Sequence, residues 1–415
     1  MPTHQPPQTN HNRTAPWERF FARVLSPLEQ FIEQQSTSSF LLLACTLLAL
    51  GLANSSVSDA FLQWLHTPIA ISVGTARFEL GLQHWINEAL MSFFFLLVGL
   101  ELKRELLMGE LANKQRAALP VIAAIGGMMV PAIIYWLWNP TGAAAAGWGI
   151  PMATDIAFAI GVLSALSKRI SPALATFLIA LAIVDDIGAV LVIAVFYTEQ
   201  LHSEALLIAA LLTVILVILN LGGIHRITPY LLIGALLWCA MFNSGIHATL
   251  SGIILAFAIP ARPKNNLQPA PGSLLERHLH FLVAFLIVPL FALTNAAIPI
   301  HWHTLTETLA HPVTLGVFSG LLIGKWIGVT GASWIAIKLG IAALPTGLHM
   351  RHLHGIGLLA GIGFTMSIFV ADLAFSTQPD TLLMAKTGIL LASLTAALFG
   401  YCWLRFACYH SKINP

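Results

Sequence analysis

Two adjacent carboxylates, Asp185 and Asp186, stand in the middle of an apolar run from residue 173 to residue 198 that holds no other charge. Its centre reads LIALAIVDDIGAVLVI, residues 178–193. The run is long enough to cross a bilayer, which takes about 20 apolar residues. A charge at bilayer depth costs at least about 2.5 kcal/mol on insertion scales. Two like charges side by side cost more still, unless a cation or a proton compensates them. The ordinary role of one buried aspartate, accepting structural hydrogen bonds, accounts poorly for an adjacent pair at mid-helix. The pair therefore predicts an intramembrane site at which protons and a metal cation exchange.

Only 9% of the 415 residues are charged and 57% are hydrophobic, where soluble domains carry about 25% charged residues. That composition defines a polytopic membrane protein. A net charge of +2 is too small to point to a nucleic-acid partner. Cys45, Cys239, Cys402 and Cys408 are scattered through apolar segments, and their spacing matches neither a zinc site nor a disulfide framework. No cofactor is expected. The polar, Pro- and Gln-rich start lacks an apolar h-region and reads as a tail, residues 1–37, rather than a signal peptide.

Twelve apolar segments can be laid out, at about 38–54, 84–107, 117–138, 148–166, 173–198, 204–221, 228–243, 245–260, 278–298, 312–338, 352–375 and 381–407. Residues 408–415 form a second short tail. Segments seven and eight are separated only by Asn243 and Ser244. Basic residues test the count, because cytoplasmic connections carry an excess of Lys and Arg. Arg13, Arg19 and Arg23 precede segment one. Lys103, Arg104, Lys114, Arg116, Lys168, Arg169, Arg226, Arg262, Lys264, Arg277, Lys338, Arg351, Arg405 and Lys412 then fall on the same side. Only Arg77 and Lys386 fall on the other, and Lys325 lies within a helix. Seventeen of the twenty basic residues thus share one side, which predicts cytoplasmic termini and an even number of spans. The first outer connection contains alternating, β-branched stretches at 70–73 and 77–80 around Gly74, the pattern of a hairpin at about 69–81.

Orientation gives depth. Asp185 and Asp186 lie half way along segment five. Thr154 and Asp155 lie mid-way along segment four, just after Gly147, Gly149 and Pro151. Lys325 is central in segment ten, and Gly361, Gly363 and Thr365 are central in segment eleven. Segments four and eleven run in opposite directions and both are interrupted by small or helix-breaking residues. Segments three to five and ten to twelve therefore read as inverted copies. Paired interrupted helices of this kind point to a transporter's midplane site, a generalisation drawn in part from the family named next.

The stretches FFLLVGLELKREL (94–106), ATDIAFAIGVL (153–163), LAIVDDIGAVLVIAVFYT (181–198), SGIHATLSG (244–252) and GIGFTMSIF (361–369) closely resemble the NhaA family of bacterial sodium/proton antiporters. The resemblance covers nearly all of residues 38–407. It implies an all-α, twelve-helix protein of the bacterial inner membrane, with helices four and eleven unwound and crossing at mid-membrane. It also implies export of sodium or lithium driven by proton entry, electrogenic and pH-regulated.

Roles carry over by motif. Asp186 matches the principal cation-binding aspartate, and Asp185 its neighbour, paired with the lysine matched by Lys325. Asp155 and Thr154 match the helix-four break, and Gly361, Gly363 and Thr365 the break in helix eleven. Glu101, Arg104, Glu105, Glu276 and His280 match a funnel associated with pH response, and His247 a histidine near it. The family's histidine is replaced by Arg277, with His278 beside it. A homodimer through the outer hairpin is left open, the hairpin serving equally well as a lid.

Sodium is a hard cation and takes oxygen ligands. Asp185, Asp186, Thr154 and carbonyls freed by the breaks can supply them. Two half-helix N-termini would meet near the breaks, each carrying about half a positive charge, with Asp155 placed to offset them and Lys325 to offset the opposing C-termini. A sodium-coupled symporter for an organic anion would need a second basic group at the midplane. A channel would use symmetric subunits and a filter ring. An intramembrane aspartyl protease would place its carboxylates on different helices. His349, His352 and His354, like His301 and His303, read as solvated loop histidines. Asp372, near the outer end of segment eleven, reads as an interfacial charge.

Overall fold

With no water in a hydrocarbon layer, each backbone N–H and C=O must be satisfied within its own segment, so an apolar chain folds as helices. The computed structural model describes residues 37–73, 76–166, 171–198, 201–263, 270–300 and 303–411. Helix α1 (Thr37–Ala53) turns through 118° into the short α2 (Ser58–Leu65). Strands β1 (Pro68–Val73) and β2 (Ala76–Gly81) pair antiparallel, with Ile69 opposite Leu80 and Ile71 opposite Phe78. The expected hairpin is present, and Gly74 at its turn lies outside the described residues.

Then follow α3 (Leu82–Met108), α4 (Lys114–Trp138), a 3-10 stretch (Ala143–Met152), α5 (Ile156–Ser164), α6 (Pro172–Phe196), α7 (Ser203–Leu221), α8 (Ile227–Ser244) and α9 (Leu250–Ala258). The chain finishes with α10 (Pro271–Asn295), the short α11 (Leu305–Ala310), α12 (Pro312–Lys338), α13 (Met350–Ala360), α14 (Phe364–Ala374) and α15 (Pro379–Ser411). Among the described residues, eight helices are long and apolar enough to cross a membrane, and up to eleven spans arise if each sharply bent pair counts as one. The last helix continues past residue 407, to Ser411. Helix α7 shows why the surface suits lipid: Leu207 is 73% and Leu221 83% exposed, an arrangement that water would penalise and acyl chains accept.

The apolar interior divides into two clusters, and the same chains switch from one to the other. On α6, Leu174, Phe177, Leu178 and Leu181 join one cluster while Ala189 and Ile193 join the other. On α12 the switch falls between Leu321 and Val329. It falls between Ala153 and Ala159 at the start of α5, and between Ile362 and Phe364 at the α13/α14 break. Asp185, Asp186, Lys325, Thr154, Asp155 and Gly363 occupy those gaps. The polar residues of three segments and the glycine at the break of a fourth therefore share one layer between two greasy halves.

Helix α12 reaches that layer by close packing. Gly126 on α4 and Gly328 on α12 cross so tightly that a Cβ on either would collide with the other's backbone carbonyl, the small-residue contact usual between membrane helices. The π turn Gly320–Gly324 ends at Lys325. Such turns inside α-helices are rare and concentrate at functional positions.

Candidate functional site

Neighbouring residues on an α-helix point about 100° apart, so Asp185 and Asp186 serve different surroundings. Asp185 Oδ2 accepts from Lys325 Nζ at 2.5 Å and from Thr154 Oγ1 at 2.8 Å. Aspartate and lysine are both fully buried. Asp186 is 1% exposed, and neither of its carboxylate oxygens meets a hydrogen-bond donor among the described residues. Instead it lines a cavity of about 70 Å³ together with Glu101, Asp155, His280 and Thr365. A buried oxygen without a donor forfeits about 1–3 kcal/mol, more when charged. A cation or a proton at Asp186 removes that deficit.

The two interrupted spans meet as expected. The 3-10 stretch and α5 bend by 40°, and α13 and α14 by 46°. Asp155 N–H donates to Ile362 C=O at 2.6 Å, joining the breaks directly. Its carboxylate caps two helices at once. Oδ1 accepts from Phe158 N–H at 3.0 Å at the start of α5, and Oδ2 accepts from Thr365 N–H at 3.0 Å and Thr365 Oγ1 at 2.5 Å at the start of α14. One negative charge thus answers the orphan N–H groups of two facing N-termini.

The opposing end differs from expectation. The Ala360 carbonyl at the end of α13 lies 2.9 Å from Thr154 Oγ1, so a hydroxyl meets it and Lys325 is committed to Asp185. Thr154 has one proton for two acceptors, Asp185 and Ala360. Neutralising Asp185 therefore frees Thr154 for the helix end.

The residues assigned to pH response separate into two groups. At the end of the bundle away from the hairpin, Arg104 pairs with Glu276 at 3.1 Å and Glu105 at 3.4 Å. Glu101 and His280 line the cavity that reaches Asp186. His247 belongs elsewhere. It sits in the turn between α8 and α9 rather than in a helix. Its Nδ1 lies 4.0 Å from Glu88, and its Nε2 lies 2.6 Å from the Tyr197 carbonyl, at the hairpin end. The family motif located the histidine, but sequence carried no sign of its distance from the funnel. Replacing both Glu276 and His280 with Gln is expected to leave exchange intact and shift its pH profile, because glutamine is neutral at every pH at both positions. The check is exchange rate against pH in vesicles. An unchanged profile would reduce the pair to helix-end polar residues.

Asp372 is no solvated interfacial charge. It pairs with Lys386 at 2.8 Å, with side chains only 14% and 9% exposed, and accepts from Asn87 at 3.2 Å. Asn87 and Asn295 exchange hydrogen bonds at 3.1 and 2.7 Å, and Gln83 adds one at 2.9 Å. This network ties α3, α10, α14 and α15 together at the hairpin end. Asp372→Ala strands Lys386 and should lower stability by about 3 kcal/mol, the low end for one partner of a buried pair. Thermal unfolding in detergent checks it, and a melting temperature within a degree or so of wild type would contradict it.

Of the three histidines near α13, His352 and His354 lie in the helix, whereas His349 stays exposed in the loop before it. His349 precedes the helix and donates its N–H to His352 Nδ1 at 3.0 Å. His352 is 5% exposed. His354 accepts from Trp326 Nε1 at 3.1 Å and packs between Trp326 and Trp403. Of the outer-loop pair, His303 is described and His301 is not.

A bundle of membrane-length helices with buried carboxylates at two crossed breaks defines a multi-pass transporter of small cations. Residues 29–404 match the family model described as Na+/H+ antiporter 1. The chain is 46% identical over 434 residues to the Na(+)/H(+) antiporter NhaA of Sulfurimonas denitrificans, covering 94% of this chain and 98% of that protein. It is 47% identical over 381 residues to the Na(+)/H(+) antiporter NhaA of Escherichia coli O1:K1, covering 91% and 97%. The chain belongs to the Na+/H+ antiporter 1 family.

Proposed function

We propose that this chain exchanges sodium or lithium for protons across a bacterial inner membrane. It is a secondary transporter and no enzyme. The observation that carries the reading is Asp186, a buried carboxylate that no donor among the described residues satisfies, lining a cavity shared with Glu101 and His280. Asp185, Asp186, Thr154 and nearby carbonyls supply oxygen ligands. Asp155 and the Gly361–Thr365 turn hold the two breaks, and Lys325 balances Asp185 when no cation is bound. Sodium and protons compete for the same oxygens. A site loaded by either one is neutral enough to change its facing, and this competition couples the two flows.

On this reading, the eight long helices are joined by α1, α9 and the two broken pairs to make twelve spans. Segments three to five and ten to twelve form inverted copies, and both termini lie in the cytoplasm. The cavity then faces inward, with Glu101, Arg104, Glu105, Glu276 and His280 setting its pH response. The Asn87–Asp372–Lys386 network closes the outer end and must part when the site faces out. The bilayer is the standing partner, and the hairpin is placed to join two copies. More protons than sodium ions move per cycle. The test is whether added sodium, but not choline, dissipates a pre-formed pH gradient in vesicles holding the purified protein. A gradient indifferent to sodium and lithium would overturn the reading.

A further inference from the structure

The outer half of the broken span near Thr154 is ten residues of 3-10 helix, Ala143–Met152. Runs longer than three or four residues are uncommon, because the hydrogen-bond geometry is poorer than in an α-helix. In a dry interior such a stretch needs outside support. Two tyrosines supply it. Tyr135, on α4 and fully buried, donates its hydroxyl to Ala144 C=O at 2.7 Å. Tyr197, at the end of α6, donates to Ala146 C=O at 2.7 Å and accepts from Gly149 N–H at 3.3 Å. The facing positions are glycines for a reason. A Cβ on Gly147 would strike the Tyr135 hydroxyl, and one on Gly149 would lie 2.7 Å from the Tyr197 hydroxyl. Ser367, on α14, donates to Ile150 C=O at 2.9 Å, nearer the break.

We propose that Tyr135 and Tyr197 are positioning residues for the cation site: their hydroxyls hold the 3-10 stretch at the pitch that sets Thr154 against Asp185. Neither touches the ion. Each stands on a helix packed against the site, Tyr197 on the same helix as Asp185 and Asp186, so the stretch is fixed relative to the carboxylates themselves. Without the clamps the stretch can relax toward α-helical winding. Thr154, two residues beyond its end, then shifts along the chain axis and loses its place on Asp185. Cation affinity depends on that placement, whereas the rate of refacing does not.

The inference rests on Thr154 being a ligand of the proposed site, and the experiment separates the two ideas. Sodium-dependent exchange is measured in vesicles for Tyr135→Phe, Tyr197→Phe, the double variant and Thr154→Val, each beside its melting temperature. Both tyrosine variants should raise the half-saturating sodium concentration roughly two- to ten-fold, the range one net hydrogen bond spans, with maximal rate near wild type. In a Thr154→Val background the tyrosine changes should add little. Gly149→Ala, which presses on the Tyr197 hydroxyl from the other side, should reproduce the affinity loss should a Phe variant fold poorly. If Thr154→Val leaves half-saturation unchanged, the site reading itself fails. If Thr154→Val weakens sodium while the tyrosine and Gly149 variants alter only melting temperature or maximal rate, the clamp is structural and the proposal is overturned.

Discussion

Asp186→Asn will reduce sodium-driven proton movement to the level of empty vesicles while the protein remains folded in the membrane. The side chain keeps its volume and loses the one property the site needs, a charge that either a proton or a sodium ion can neutralise. Asn can hold a cation weakly through its carbonyl oxygen, but it takes up and releases no proton, so occupancy by one ion no longer displaces the other. Folding should not suffer, because replacing an unsatisfied buried carboxylate with a neutral group removes a desolvation cost rather than an attraction. The measurement is quenching and recovery of a pH-sensitive dye on sodium addition, with the melting temperature alongside. Wild-type-like sodium-dependent proton release from the Asn variant would move the exchange site away from Asp186 altogether.

The residues that cost most in a bilayer are legible in the sequence. Charges and helix breakers inside otherwise apolar runs stand out because hydrocarbon penalises them, and positive-inside asymmetry fixed which runs could share a depth. Thr154, Asp155, Asp185, Lys325 and Gly363 share one layer because the apolar residues on either side of them pack into separate cores. The rest was hidden for equally physical reasons. A tyrosine in an apolar run, such as Tyr135 or Tyr197, reads as packing, since nothing local says that its hydroxyl finds a carbonyl on another segment. Asp372 and Lys386 are fourteen residues apart across a turn, and their pairing depends on how α14 and α15 fold back. The 3-10 winding of Ala143–Met152 was signalled only by Gly147, Gly149 and Pro151, which break an α-helix without saying what replaces it. His247 had a motif but no depth, because the turn that carries it replaces the first residues of what read as the eighth apolar segment.

Lys325→Ala should be the most destabilising single change at the site, and adding Asp185→Asn should restore much of what it loses. The ammonium and the carboxylate are fully buried 2.5 Å apart. Removing one partner leaves the other charged in a low-dielectric layer and costs about 3–5 kcal/mol. Removing both charges leaves a neutral amide within reach of Thr154, which can still hydrogen-bond to it. The two stability losses should therefore be strongly non-additive, as expected for groups in direct contact. Transport distinguishes pairing from mere charge balance. If sodium binding at Asp185 displaces Lys325, the ammonium is left without its carboxylate and can give up a proton. That supplies a second proton per sodium beyond the one lost at Asp186. Exchange remaining in Lys325→Ala or in the double variant should accordingly move less net charge, seen as a smaller response to an imposed membrane potential. Simple additivity of the melting-temperature losses, with voltage dependence unaltered, would leave Lys325 as a structural cation and return the extra proton to another carboxylate of the cavity, with Glu101 the first to test.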